Sequence, residues 1–96
     1  MPFGRKPIAH LWLGPKIIQR APKVSGVYGI FNKEGWIYVG ATGNLRGALL
    51  AHFDGNNACI KKSAPMGFQF ERVPAKERAK RKRELIEELN PSCNRG

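Results

Sequence analysis

Two apolar runs rich in β-branched and aromatic residues, Gly26 to Phe31 and Trp36 to Ala41, flank the polar link Asn32-Lys33-Glu34-Gly35. Such runs fit a pleated surface, and a short polar link ending in glycine predicts a β-hairpin. Beyond the hairpin the apolar period lengthens. Leu45, Ala48, Leu49 and Phe53 recur at helical spacing after Thr42 or Asn44, either of which can cap a helix N-terminus. Asp54-Gly55-Asn56-Asn57 stops that helix and opens a loop holding Cys59 and Ile60. Phe68, Phe70 and Val73 alternate closely enough to predict a third strand over Gly67 to Val73. After Pro74 a helix is predicted from about Ala75 to Leu89, with Arg78 or Ala79, Lys82, Leu85, Ile86 and Leu89 on its inner stripe. Asn90-Pro91 ends it, because proline pushes the preceding residue out of the helical region.

Residues 1–24 hold four of the seven prolines and read as an arm with a short helix around Lys16 to Arg20. Leu11, Trp12, Leu13, Ile17 and Ile18 are available to dock on a domain spanning residues 25–96. The predicted order after the arm is β-β-α-β-α. It implies a mixed α/β (α+β) fold, a small three-stranded antiparallel sheet flanked by helices. A chain of 96 residues is sized for one such domain and one modest core.

Charge narrows the partner. Seventeen Lys and Arg oppose seven Asp and Glu, a net charge of +10, which points to a polyanion. Nucleic acid is the first candidate. A membrane surface is disfavoured because the basic stretches have no strongly apolar face behind them, and no apolar run spans a bilayer. The first residues lack an apolar leader core, so a cytoplasmic protein is expected, as a monomer without a small-molecule cofactor. Cys59 and Cys93 form neither a CxxC pair nor a zinc-ligand spacing. They are expected as reduced, partly buried thiols, with a disulfide open only if the fold brings them together.

Gly26-Val27-Tyr28 and Tyr38-Val39-Gly40 stand on the two hairpin strands with their tyrosines ten residues apart. Asn44-Leu45-Arg46 opens the next helix, and Leu85-Ile86 is followed by Pro91 and Asn94. From Ser25 to Asn94 this arrangement resembles the GIY-YIG nuclease family. The resemblance implies a domain that hydrolyses DNA phosphodiesters with one divalent metal, Mg²⁺ or Mn²⁺, on single- or double-stranded DNA. It gives Tyr28 the role of helping to activate the attacking water and Tyr38 contact with that water or the scissile phosphate. His52 takes the place of a first-helix tyrosine or histidine near the nucleophile, and Asn94 that of an asparagine supporting the site. Plainer readings stand beside these: strand tyrosines, an edge histidine, a terminal cap.

Two positions depart from the family pattern. The family's phosphate-binding arginine falls at Ala48, and its metal-binding glutamate at Lys82. Arg46 and Glu84 each lie two residues away, about 200° around a helix, so neither is expected to substitute. A protonated lysine cannot ligate a metal. Either another carboxylate such as Glu71 or Glu84 holds the ion, or the Lys82 ammonium supplies the charge in its place. The metal ligands therefore stay unknown. Arg46, Lys61, Lys62, Arg78, Lys80 and Arg81 are the candidate nucleic-acid contacts, six cations that can track a phosphate backbone. Trp12 and Trp36 are available for stacking on bases or for packing. Two functions fit these residues: an endonuclease weakened or silenced at Ala48 and Lys82, or a nucleic-acid-binding module without cleavage.

Overall fold

The computed structural model describes Phe3 and residues 8–94. Strand β1 (His10–Leu11) and helix α1 (Gly14–Arg20) precede the hairpin β2 (Gly26–Asn32) and β3 (Gly35–Thr42). Helices α2 (Leu45–Phe53) and α3 (Ala58–Lys62), strand β4 (Gly67–Arg72), a 3₁₀ turn (Ala75–Glu77) and helix α4 (Arg78–Leu89) complete the chain order. The strands form one antiparallel sheet in the order β1-β4-β2-β3. The sheet thus has four strands where three were expected. The fourth is β1, whose two residues pair with Phe68 and Gly67. Two residues carry no readable alternation, so pattern alone misses such a strand. Helix α3 was likewise hidden in a loop; Asn57 caps it by accepting from the Ile60 amide at 3.2 Å.

Local chemistry explains the boundaries. Asn32 Oδ1 accepts from the amides of Glu34 (2.8 Å) and Gly35 (3.1 Å), which folds the hairpin tip. Gly35 sits at φ +143°, a region open to glycine alone at little cost. Asn44 rather than Thr42 caps α2, through Oδ1 to the Gly47 amide at 3.1 Å, a bond worth about 1 kcal/mol. Asn90, left-handed at φ 49°, ends α4 before Pro91 as the sequence predicts.

Each sheet face carries its own core. Ile17, Ala21, Tyr28, Ile30, Ile37, Leu45, Leu49, Ile60 and Phe68 form the cluster beneath α1, α2 and α3. Phe3, Val27, Val39, Val73 and Leu85 form the other, beneath α4. Of the apolar residues in the first segment, Ile17 is fully buried and Trp12 packs on the core, whereas Leu11, Leu13 and Ile18 stay largely exposed. The β2–β3 ladder is irregular at one point. The pairing slips between Ile30↔Tyr38 and Phe31↔Trp36, leaving Ile37 as a bulge residue. The slip lets both Ile37 and Tyr38 pack on the α2 side, whereas strict alternation would separate them.

Past α4 the chain crosses the open edge of β3. The amides of Ser92 and Cys93 donate to the carbonyls of Trp36 (3.2 Å) and Ile37 (2.7 Å). Cys93 is bonded to Cys59 of α3, with Cα atoms 5.8 Å apart. The expectation of two free thiols is therefore overturned. The C-terminal segment wraps from the α4 face to the α3 face and brings together cysteines 34 residues apart in sequence.

Closing a loop of that length restrains the unfolded chain, so Cys93→Ser should lower unfolding stability by roughly 2–4 kcal/mol. Chemical denaturation under non-reducing conditions measures it. A reducing agent should destabilise the parent chain and leave the variant unchanged.

Candidate active site

Tyr28 and Tyr38 occupy neighbouring strands and, through the regular pairing Tyr28↔Gly40 and Ile30↔Tyr38, the same sheet face. The Tyr28 hydroxyl lies 2.7 Å from His52 Nε2, on α2. The Tyr28 and Tyr38 ring centres are 6.2 Å apart, and the His52 ring is 5.6 Å from the first and 5.2 Å from the second. The structure brings together the two phenols and the imidazole that the sequence singled out.

Gly40 makes this possible. It pairs with Tyr28 across the strands, and a Cβ there would overlap the Tyr28 hydroxyl and ring. The phenol can lie across β3 toward the sheet edge only because position 40 has no side chain. Tyr28 is 4% exposed, its ring inside the hydrocarbon core and its hydroxyl satisfied by His52. Tyr38 and His52 are half-buried, so they are the members of the trio that an incoming ligand meets.

The electrostatics sort the roles. Burial, with a smaller contribution from Tyr38, pushes the Tyr28 phenol far above its ordinary value. Tyr28 is therefore a neutral hydroxyl at physiological pH. Burial lowers the His52 imidazole below 6.5, partly offset by a bond from its Nδ1 to Asn56 Oδ1 at 2.9 Å. A carboxamide oxygen only accepts, so Nδ1 carries the proton, Nε2 presents its lone pair, and Tyr28 donates to it.

The other candidate residues lie around this trio or away from it. Asn94 accepts from the Val39 amide at 2.7 Å and donates to the Val39 carbonyl at 3.0 Å, holding β3 beside Tyr38. Ala48 lies one turn before His52 on α2, half-buried against the core. Lys82 is half-buried on α4, which packs mainly against β3 on the opposite sheet face. Arg46 Nε donates to the Ala21 carbonyl at 2.8 Å, fastening α2 to the end of α1. Arg78 donates to Ser25 Oγ at 3.1 Å, and Arg81 grips both Glu71 oxygens at 3.0–3.2 Å. Lys80 is exposed and lines a cavity of about 320 Å³ between β4 and α4, away from the trio. Lys61 and Lys62 are exposed on α3, with the Lys61 stem beside Gly55. Trp36 packs against Phe3 and Phe31, and Trp12 against Phe53 and Phe68. Sequence reasoning missed Asn56 and Gly40. The four-residue spacing of His52 and Asn56 at a helix end was the available signal for the first.

The fold has known counterparts. Comparison with protein-family models and with curated proteins gives no match. Among solved structures, the GIY-YIG N-terminal endonuclease domain of UvrC from Thermotoga maritima, bound to its catalytic magnesium, superposes with a TM-score of 0.74 at 24% identity, covering 85% of this chain and 96% of that one. A tyrosine-to-phenylalanine mutant of the same domain, bound to its catalytic divalent cation, gives 0.73 at 22%, over 85% and 96%. This is the GIY-YIG fold. The elements that carry the trio are those in which the sequence motif was read.

The cation of those structures does not suit the residues present here. Among the described residues no group of three or more His, Cys, Asp and Glu could hold a metal ion. Both His52 nitrogens are engaged. Glu71 and Glu84, the alternative carboxylates, bind Arg81 instead. Nor is any helix of the described residues long and apolar enough to cross a membrane.

Two measurements probe this geometry. Gly40→Ala should displace the Tyr28 ring and cost about 1–3 kcal/mol, as overpacking does; denaturation and the loss of Tyr28–His52 proximity in NMR spectra read it. His52 should titrate below 6.5 in an NMR series. Because the folded state takes up that proton less readily than the unfolded chain, its contribution is intact above 6.5 and lost as pH falls through the lower folded value.

Proposed function

We propose that this chain is a DNA-binding protein with a nuclease-type phosphodiester-hydrolysing site that works poorly in its present form. The observation that carries the reading is the Tyr28–His52 hydrogen bond, closed by Tyr38, on a GIY-YIG fold. A water donating to the Tyr28 oxygen can lose its proton through two linked transfers. Tyr28 accepts from the water as it passes its own proton to His52 Nε2. The resulting hydroxide forms a bond to phosphorus as the bond to the leaving oxygen breaks, and that oxygen takes a proton from solvent. Tyr28 stays neutral overall, in keeping with its raised pKa, and His52 is the net proton acceptor. A base near neutrality suits this task.

The weakness lies at the position of the family's phosphate-binding arginine. Position 48, one turn from His52 on α2, carries only a methyl group, and Arg46, Arg78 and Arg81 are bonded elsewhere. Lys61 and Lys62, exposed on the helix after α2, are the first cations that follow His52 in the chain. They suit salt-dependent backbone binding, which fits a net charge of +10. The second reading, a binding module without cleavage, is favoured by the same gap at Ala48.

The deciding experiment compares the parent with Ala48→Arg on single- and double-stranded DNA, with Mg²⁺, with Mn²⁺ and with chelator. Both should bind with strong salt dependence. The variant should cleave on the order of a hundredfold faster or more, the usual scale for a transition-state cation. Binding with no cleavage by either protein under any condition establishes the binding module instead. Cleavage by the variant that survives chelator would support Lys82 in place of a metal, and strict metal dependence would exclude it.

A further inference from the structure

We propose that Asn56 is a positioning residue of this site, holding His52 in the tautomer whose Nε2 lone pair faces the Tyr28 hydroxyl. Its catalytic consequence rests on the nuclease reading above; the structural claim does not.

Asn56 belongs to the turn after α2, where its own amide donates to the Ala51 carbonyl at 3.2 Å. That bond and the adjacent one from Gly55 to His52 (3.0 Å) set the turn against the last residues of the helix. The Asn56 side chain then reaches back one helical turn, and Oδ1 meets His52 Nδ1 at 2.9 Å. The opposite nitrogen meets Tyr28 at 2.7 Å. A neutral imidazole has one proton for two nitrogens. An acceptor on Nδ1 keeps the proton there, so Nε2 is left able to accept. Without Asn56, the proton can move to Nε2. That tautomer can only donate toward Tyr28, and the route from Tyr28 to His52 is closed. The ring also packs against Tyr28 and Tyr38, contacts that survive the loss of the carboxamide. Asn56 itself is exposed, and among the described residues its side chain makes no hydrogen bond other than this one. Its substitution therefore leaves the core intact.

The test uses the full chain with ¹⁵N-labelled histidine. In the parent, His52 should show the Nδ1-protonated form at neutral pH. Asn56→Ala should shift the ring toward the Nε2-protonated form and lower its titration midpoint. Asn56→Asp should restore the Nδ1 proton and raise the midpoint above the parent's. In the Ala48→Arg background, Asn56→Ala should lower kcat at least about tenfold with KM little changed, and Asn56→Asp should recover it. A parent His52 protonated on Nε2, or a tautomer indifferent to Asn56→Ala, overturns the proposal. If Ala48→Arg proves inert while the tautomer follows Asn56 as described, the positioning claim stands and the nuclease reading fails. An unchanged circular dichroism spectrum and melting temperature for Asn56→Ala excludes loss of fold as the cause.

Discussion

A phenol inside a small core must satisfy its hydroxyl, and here one hydrogen bond does so, from Tyr28 to His52. Much of the surrounding architecture follows from that requirement. The bond spans from sheet to helix, so α2 must start where it does, capped by Asn44, to bring position 52 over β2. Gly40 must lack a side chain for the phenol to cross β3. Regular pairing keeps Tyr38 on the same face, and the slip just beyond it turns Ile37 to that core as well. A polar site is thereby set into the wall of a hydrocarbon core without an orphaned hydroxyl.

Elements built on local chemistry were legible. β-Branched and aromatic runs about a polar link placed the hairpin, and helical spacing placed α2 and α4 with their ends. The motif spacing paired Tyr28 with Tyr38, and the family resemblance added His52. What escaped notice was set by distance in the chain. Strand β1 exists because β4 offers Phe68 and Gly67 as partners. Cys59 and Cys93 meet only because the chain doubles over the sheet edge. The bulge, which turns Ile37 to the face of Tyr38, has no signature in a run as uniformly apolar as Trp36 to Ala41. The ion pair of Arg81 escaped for the same reason, since its partner Glu71 is on another element, strand β4.

The six cations singled out as nucleic-acid contacts divide by type. Arg46, Arg78 and Arg81 use their directional donors inside the fold, on a carbonyl, a hydroxyl and a carboxylate. Lys61, Lys62 and Lys80 stay exposed, as compact and strongly hydrated charges do. In the proposed function, attraction to a polyanion is therefore left to groups that recognise charge more than shape. The planar fork that would read one phosphate in a fixed orientation is the element position 48 lacks.

The strap over β3 bears on how the molecule behaves in company. A sheet's outer strand normally offers unpaired amides and carbonyls to any passing chain. Here Ser92, Cys93 and the carboxamide of Asn94 occupy those groups from Trp36 to Val39, and a covalent bond to α3 locks the cover in place. At the far side, β1 is only two residues long. The β3 flank, finished in this way, gives little template for recruiting further strands, and the residues that cover it are the same ones that brace the site.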